Sequence, residues 1–318
     1  MPAELSAATQ GLTRAAGPYS GRTLVIVNPF AGQEEPERLR RRLGGAFAAR
    51  EAAFDLVTTR YAGHAAELAR KAAALGYRAV AVCGGDGTLA EAATGLVGTD
   101  TPIAIIPRGT ANQVALNLQI PVDLELAIDI ALHGLERPID LGRIDDRFFA
   151  LVAGAGFDAA VMQSATRELK ERWGFGAYIY AAVKEALNAT PRRFRIWVDG
   201  RVLELDAVSV MVANVGELFT RWLPLRFPLG PTPADAWHDG LLDVVIIAPR
   251  NPPDLAALLW QAANRRFTQN DRLLHFQVTT ITIEADPAIA VQIDGDPAGE
   301  TPVSMAVVRD AVRVIVPA

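Results

Sequence analysis

Between Arg22 and about Leu132 the chain repeats one pattern: a short, continuously apolar run, a turn, then a longer amphipathic stretch. The runs are Thr23–Asn28, Phe54–Thr59, Ala79–Cys83 and Pro102–Ile106. The stretches after the first three are Glu37–Arg50, His64–Leu75 and Thr88–Leu96. Strands that are apolar along their whole length are buried on both faces, so the alternation predicts a parallel sheet covered by helices. In such a sheet a ligand sits beyond the carboxyl ends of the strands. Three turns at such ends are rich in small residues and hydrogen-bonding side chains: Asn28–Gly32 (NPFAG), Gly84–Thr88 (GGDGT) and Pro107–Asn112 (PRGTAN). Glycine lets backbone N–H groups approach an anion, and a helix N-terminus adds partial positive charge. One such turn would pass as ordinary. Three at successive strand ends describe a phosphate cradle.

After Asp140 the pattern changes to short apolar runs: Phe148–Ala153, Phe194–Val198, Val202–Leu205, Val208–Ala213, Leu242–Ile247, Val278–Glu284, Ala290–Ile293 and Val312–Val316. Turn signals such as Asp199-Gly200 and Asp294-Gly295 separate several of them, which predicts antiparallel strands in a sandwich or barrel. Helical stretches are expected at Ala177–Ala189 and Asp254–Phe267. The expected organisation is a loose lead-in over 1–21, an α/β nucleotide-binding domain over 22–139 and a mainly β domain over 140–318. The boundary is drawn near Pro138–Gly142.

Bulk properties exclude several classes. At 318 residues the chain is long enough for two domains. A net charge of -5 gives no support for broad electrostatic binding to nucleic acid. The single cysteine, Cys83, rules out an intrachain disulfide and reads as a buried small hydrophobe. No apolar run reaches the ~18 residues of a membrane span, and the N-terminus does not resemble a signal peptide. The expectation is a cytoplasmic protein, at most peripheral at the inner membrane surface. A homodimer is one assembly the residues leave open.

Asp86 is the awkward residue of the cradle. A carboxylate inside a phosphate loop repels the ligand unless a cation intervenes. It implies Mg²⁺, a hydrogen bond to a sugar or substrate hydroxyl, or a cap on a helix beginning near Thr88. No Gly-x-x-x-x-Gly-Lys-Ser/Thr run is present, which excludes a standard P-loop. Gly154–Ala159 (GAGFDA) formally fits a dinucleotide fingerprint, but it lies in the strand-rich half and carries a carboxylate. A packed turn or bulge is the better reading.

NPFAG (28–32), GGDGTLAEAATGL (84–96) and PRGTANQVALNLQIP (107–121), followed in order by DLGRI (140–144), FFALVAGAGFDAAVM (148–162), WGFGAYIYAAVKEAL (173–187), HDGLLDV (238–244) and VQIDGDPAGETPVSM (291–305), resemble the diacylglycerol kinase superfamily over nearly the whole chain. The bacterial lipid kinases related to sphingosine and ceramide kinases are the most similar members. The resemblance implies a kinase using ATP and Mg²⁺, with the nucleotide between an α/β domain of the kind also found in NAD kinases and a β-sandwich domain. It further implies a lipid substrate presented at a membrane surface, such as diacylglycerol or a sphingoid base. By motif, Asn28, Pro29, Phe30, Ala31, Gly32 and Thr59 would contact ATP. Gly84, Gly85, Asp86, Gly87, Thr88 and Glu91 would hold the phosphates, with Gly109, Thr110 and Asn112 nearby. A structural metal would sit on Asp239 and the carbonyl of Leu241, and the last strand, about 305–318, would return to the first domain.

Three positions depart from the family pattern. Asp296 stands where the bacterial members carry a glutamate general base; it is expected to be catalytic together with Asp86, although Asp-Gly-Asp also suits a plain hairpin turn. Ala90 replaces an asparagine of the GGDGT helix. Leu218–Pro233 is aromatic and basic where relatives are glycine-rich, and reads equally as a membrane-contacting loop or a packed one. Two other functions stay open: an NAD kinase, which shares GGDGT but fits NPFAG and PRGTAN less well, and an idle nucleotide or lipid sensor.

Overall fold

The computed structural model describes residues 18–156 except 33, residues 190–263 except 199, 215–216, 220–225 and 229–235, and residues 271–318. The helix expected at Ala177–Ala189 and most of the 218–233 loop lie outside the described residues, as do residues 264–267 of the Asp254–Phe267 stretch. The first half runs β1 (Thr23–Val27), α1 (Pro36–Ala49), β2 (Phe54–Thr58), α2 (His64–Ala74), β3 (Ala79–Gly84), α3 (Asp86–Leu96), β4 (Ile103–Pro107), α4 (Gln113–Asn117) and α5 (Leu124–His133). Strands β2, β1, β3 and β4 are parallel neighbours in that order. Every residue of β1, β3 and β4 is buried, as the continuous apolar runs require.

The second half contributes β5 (Leu135–Ile144), β6 (Arg147–Phe149), β7 (Val152–Gly156), β8 (Arg192–Val198), β9 (Arg201–Ala207), β10 (Ser209–Ala213), β11 (Glu217–Phe219), β12 (Arg226–Pro228), β13 (Leu242–Ile247), α6 (Pro252–Ala263), β14 (Leu273–Val278), β15 (Thr280–Asp286), β16 (Ala290–Ile293), β17 (Asp296–Glu300) and β18 (Val303–Val316). A six-stranded sheet runs β14-β13-β10-β7-β16-β17, and β11 and β12 form a separate pair. The remaining strands extend the first sheet, which continues past β4 as β18-β15-β8-β9, with β5 on β18 and β6 on β5. The apolar core between the two large sheets holds Phe149, Phe194, Ile196, Val210, Val244 and Ile283. This is the sandwich, and the α/β layer is the other half of the expected fold.

Two sequence expectations are corrected here. The boundary near Pro138–Gly142 falls inside β5, which pairs with β18 from Leu135 to Ile144. The two halves share this sheet, so no linker separates them there. The register of that pair shifts between Val308 and Val312, around Asp310, whose φ is 50°. Beyond the shift β18 turns from a partner of β15 into a parallel partner of β4, at Val314 and Ile315. The second correction is Gly154-Ala155-Gly156. It is not a bulge but regular ladder: Gly154 lies opposite Met211 on one side and Gln292 on the other. Among the described residues no helix is long and apolar enough to cross a membrane.

Candidate active site

The three small-residue turns meet at the carboxyl ends of β1, β3 and β4, and side chains lock them together. Asn28 Oδ1 accepts the Phe30 N–H at 3.0 Å, which fixes the bend after β1, and its Nδ2 donates to Thr88 Oγ1 at 2.8 Å. Pro29 and Ala31 complete the bend, Gly32 adopts a φ of 81°, and Phe30 is 77% exposed at the rim. Thr59 follows β2 and donates its N–H to Val27 O at 2.9 Å, which brings it beside the same end of β1. Gly85 and Gly109 touch backbone to backbone: a Cβ on Gly109 would lie 2.5 Å from Gly85 Cα. Asn112, buried with a φ of 50°, closes its own turn by accepting the Gly109 N–H at 2.7 Å and donating to Gly109 O at 2.8 Å. Gly87 and Thr110 are exposed on the open side.

Asp86 does not make the local helix cap that was one of the arrangements expected for it. Helix α3 begins at Asp86 itself, so the residue does not cap a helix starting near Thr88. Its carboxylate reaches across to the start of α4, accepting the N–H of Gln113 at 3.0 Å and of Val114 at 3.1 Å. Enclosure raises its pKa above the usual carboxylate range, against those backbone hydrogen bonds, which lower it. Gly84, Gly85, Asp86, Pro107 and Asn112 line a small pocket with the apolar Val82, Leu89, Ile105 and Ala115. Glu91 faces away from this pocket; its Oε2 accepts the Ala65 N–H at 3.3 Å and serves the N-terminus of α2, whose N-cap Gly63 has no side chain to do so. Cys83 is buried beneath the site, and enclosure pushes its thiol up to about 12, which suits a packing role.

The second half contributes a carboxylate hairpin between β16 and β17. Asp296 is exposed at the start of β17, opposite Ile293. Asp294, in sequence only a turn signal, has the enclosed carboxylate. It accepts N–H groups from Ala150 at 2.9 Å, Leu151 at 3.0 Å and Val152 at 2.9 Å. Burial raises its pKa to about 6 against the three backbone hydrogen bonds, which lower it, and the charge of Asp86 adds a smaller push upward. The signal in the sequence was the turn itself: Asp294 has a φ of 48°, a conformation that Asp tolerates.

Asp239 and Leu241 lie just before β13. Asp239 Oδ1 accepts the Leu241 N–H at 2.9 Å, and burial together with Asp243 and Asp140 raises its pKa. Beside them Asp140, His238 and Asp310 place ligand-type atoms within 4.8 Å of one another. Asp140 is already occupied as a brace, accepting the N–H of Gly240 and of Asp310, each at 2.8 Å.

Family comparison agrees with this geometry along the chain. Residues 22–144 match the diacylglycerol kinase catalytic domain, and residues 151–316 match the YegS C-terminal NAD kinase beta sandwich-like domain. The chain belongs to the diacylglycerol kinase superfamily. A diacylglycerol kinase of Mycobacterium tuberculosis (strain ATCC 25618 / H37Rv) is 33% identical over 262 residues, covering 80% of this chain and 81% of that protein. An uncharacterized protein of Synechocystis sp. is 28% identical over 238 residues, 74% of this chain but 54% of the length of that relative. The crystal structure of a diacylglycerol kinase from Bacillus anthracis str. Sterne superposes with a TM-score of 0.74 at 24% identity, covering 93% of this chain and 97% of the other, which speaks for the fold. Membership in the diacylglycerol kinase superfamily makes a lipid kinase the general class of this chain.

Proposed function

We propose that this chain transfers the γ-phosphoryl group of ATP to the hydroxyl of a lipid such as diacylglycerol or a sphingoid base, taken from a membrane surface. The observation that carries the reading is the interlock of three strand-end turns beside a carboxylate hairpin from the second half. Phosphoryl transfer is positioning plus charge neutralisation, and that arrangement supplies both. Backbone N–H groups at Gly85 and Gly87 suit close approach of phosphates, while Asn28, Thr88 and Asn112, the last of which holds the Gly109 N–H, keep the turns in register. Asp296 accepts the proton of the lipid hydroxyl as its oxygen bonds to the γ-phosphorus and the bond to the ADP oxygen breaks. Asp294 anchors the hairpin to residues 150–152 and so positions Asp296.

Asp86 and Asp294 are hard oxygen donors, each enclosed, and Asp294 is further disfavoured by the charge of Asp86. Both carboxylates already accept backbone N–H groups, and Mg²⁺ held by them would use the lone pairs those bonds leave. When bound, Mg²⁺ neutralises charge on the transferring group. Asp239 and the Leu241 carbonyl would hold a second, structural cation.

The test is mass spectrometry of a total lipid extract after incubation with the purified chain and Mg-ATP, with NAD in a parallel reaction. A lipid class that gains one phosphoryl group supports the reading. Phosphorylated NAD would make the chain an NAD kinase, and nucleotide binding with no phosphorylated product would make it a sensor.

A further inference from the structure

Residues 28–32, 84–88 and 107–112 contain one cationic side chain, Arg108, against one anionic side chain, Asp86. The Arg108 N–H donates to Gly84 O at 2.8 Å, which ties it to the end of β3. Its guanidinium lies along the NPFAG turn: a Cβ on Gly32 would be 3.5 Å from Nη2 and 3.7 Å from Nε. Nη2 donates to Glu34 Oε2 at 2.9 Å. Nε is buried and has no hydrogen-bond partner among the described residues. A buried donor left without an acceptor is uncommon and calls for a reason.

Glu34 does not neutralise Arg108 by itself. Its side chain is 12% exposed and is shared with Arg42, which donates to both oxygens at 3.1 and 2.9 Å, and with Arg38 at 3.6 Å. Three guanidiniums thus share the single Glu34 carboxylate, and Glu35 is engaged in capping α1. Sharing matters physically: a carboxylate spread over three cations holds each in place but competes weakly for any one of them. Arg108 lies between Pro107 and Gly109, and its guanidinium borders Gly32 of the NPFAG turn, so it stands where two of the three turns meet.

We propose that Arg108 is the phosphate-binding cation of the cradle, oriented by Glu34, and that its Nε–H edge receives the polyphosphate of a nucleoside di- or triphosphate. The inference rests on the nucleotide-kinase reading and adds to it the side chain that sets affinity for the phosphate tail. A guanidinium presents donors in a planar fork that suits two phosphate oxygens, whereas an ammonium at the same place is a point charge. Glu34 acts through Arg108 and is a positioning residue.

The test compares the binding of Mg-ADP and of adenosine to the full chain by calorimetry, with a thermal melt for each variant. Arg108→Met keeps the stem and is expected to weaken ADP by about ten- to hundredfold, the loss of a charge-assisted hydrogen bond. Adenosine affinity should stay within about twofold, since it carries no phosphate. Arg108→Lys should recover part of the ADP affinity, and it decides the matter if the Met variant does not fold. Glu34→Gln should weaken ADP less than Arg108→Met, and adding it to Arg108→Met should cost nothing more, the signature of action through one partner. Unchanged ADP affinity in a folded Arg108→Met would overturn the proposal, as would equal losses for ADP and adenosine. A wild-type chain that binds neither ligand would instead overturn the nucleotide-kinase reading and this inference with it.

Discussion

Two glycines of the cradle have opposite reasons for being glycine, and substituting each with alanine separates the reasons. At Gly109 the added Cβ would sit 2.5 Å from Gly85 Cα and 2.9 Å from Asn112 Oδ1, where ordinary contact begins at 3.4 Å. Backbone stands on the other side, so the GGDGT and PRGTAN turns must part by about 1 Å. Overpacking of that kind costs about 1–3 kcal/mol, which lowers the melting temperature by roughly 1.5–4.5 °C in a chain of this size. A misplacement of about 1 Å at a phosphoryl-transfer site lowers kcat/KM by about a hundredfold. At Gly87, inside α3, an added Cβ meets nothing within 4 Å. Gly87→Ala should therefore raise stability by about 0.5–1 kcal/mol through helix propensity, yet weaken nucleotide binding, because the space it fills is the approach to the phosphates. Differential scanning fluorimetry together with calorimetric titration of Mg-ADP reads both axes. If Gly109→Ala melts and turns over like the wild type, the close contact of the two turns does not hold the site. If Gly87→Ala binds ADP normally, the phosphates do not lie over α3.

Asp296→Asn should lower turnover by about a hundredfold or more while leaving ADP affinity unchanged; steady-state kinetics showing normal kcat would remove Asp296 from the chemistry. Asp294 predicts a pH dependence of stability. Its folded pKa of about 6 lies above the ordinary 3.8, so its contribution is most favourable below pH 3.8 and is lost as pH rises through 6. At 1.36 kcal/mol per pH unit the loss is worth about 3 kcal/mol. Asp86 and Asp239, raised in the same direction, add to it. Urea denaturation at pH 5 and pH 7 should show wild type losing more stability than Asp294→Asn, and parallel behaviour would refute the enclosed charge. Glu91→Ala should cost about 0.5–1 kcal/mol through the exposed N-terminus of α2; a denaturation midpoint equal to wild type would mean that the 3.3 Å contact with Ala65 contributes nothing.

The parallel half was legible because doubly buried strands leave an unbroken apolar trace, and the cradle was legible because its glycines and asparagines recur at successive strand ends. What bridges those segments was not. Nothing local to Asp86 shows that its acceptor oxygens serve Gln113 and Val114, since hydrogen bonds across 27 and 28 residues leave no periodicity. Arg108 and Glu34 escaped for the same reason: they are separated by 74 residues, and each reads alone as a solvated charge. Asp294 reads in sequence only as a turn residue, because the family's base aligns with Asp296 two positions on. The Gly154–Gly156 segment resembled a turn by composition, yet strands on both sides hold it in a ladder. The reach of β18 was expected only from the resemblance, and its start lies at Val303, hidden by the alternation of small and polar residues in VSMA.

Strand β18 also carries a consequence for how the chain is made. The apolar strand β4, ending at Pro107, meets its second neighbour only when residues 303–316 have been synthesised. At ribosomal speeds of about 5–20 residues per second, that edge waits roughly 10–40 s after β4 itself is complete. Throughout that interval a fully apolar strand has one row of unpaired backbone groups open to other chains. Prematurely terminated products would keep that edge permanently and should be the species that chaperones and proteases capture first. Synthesis rate between residues 107 and 303, more than the stability of the finished fold, would then set the yield of intact protein.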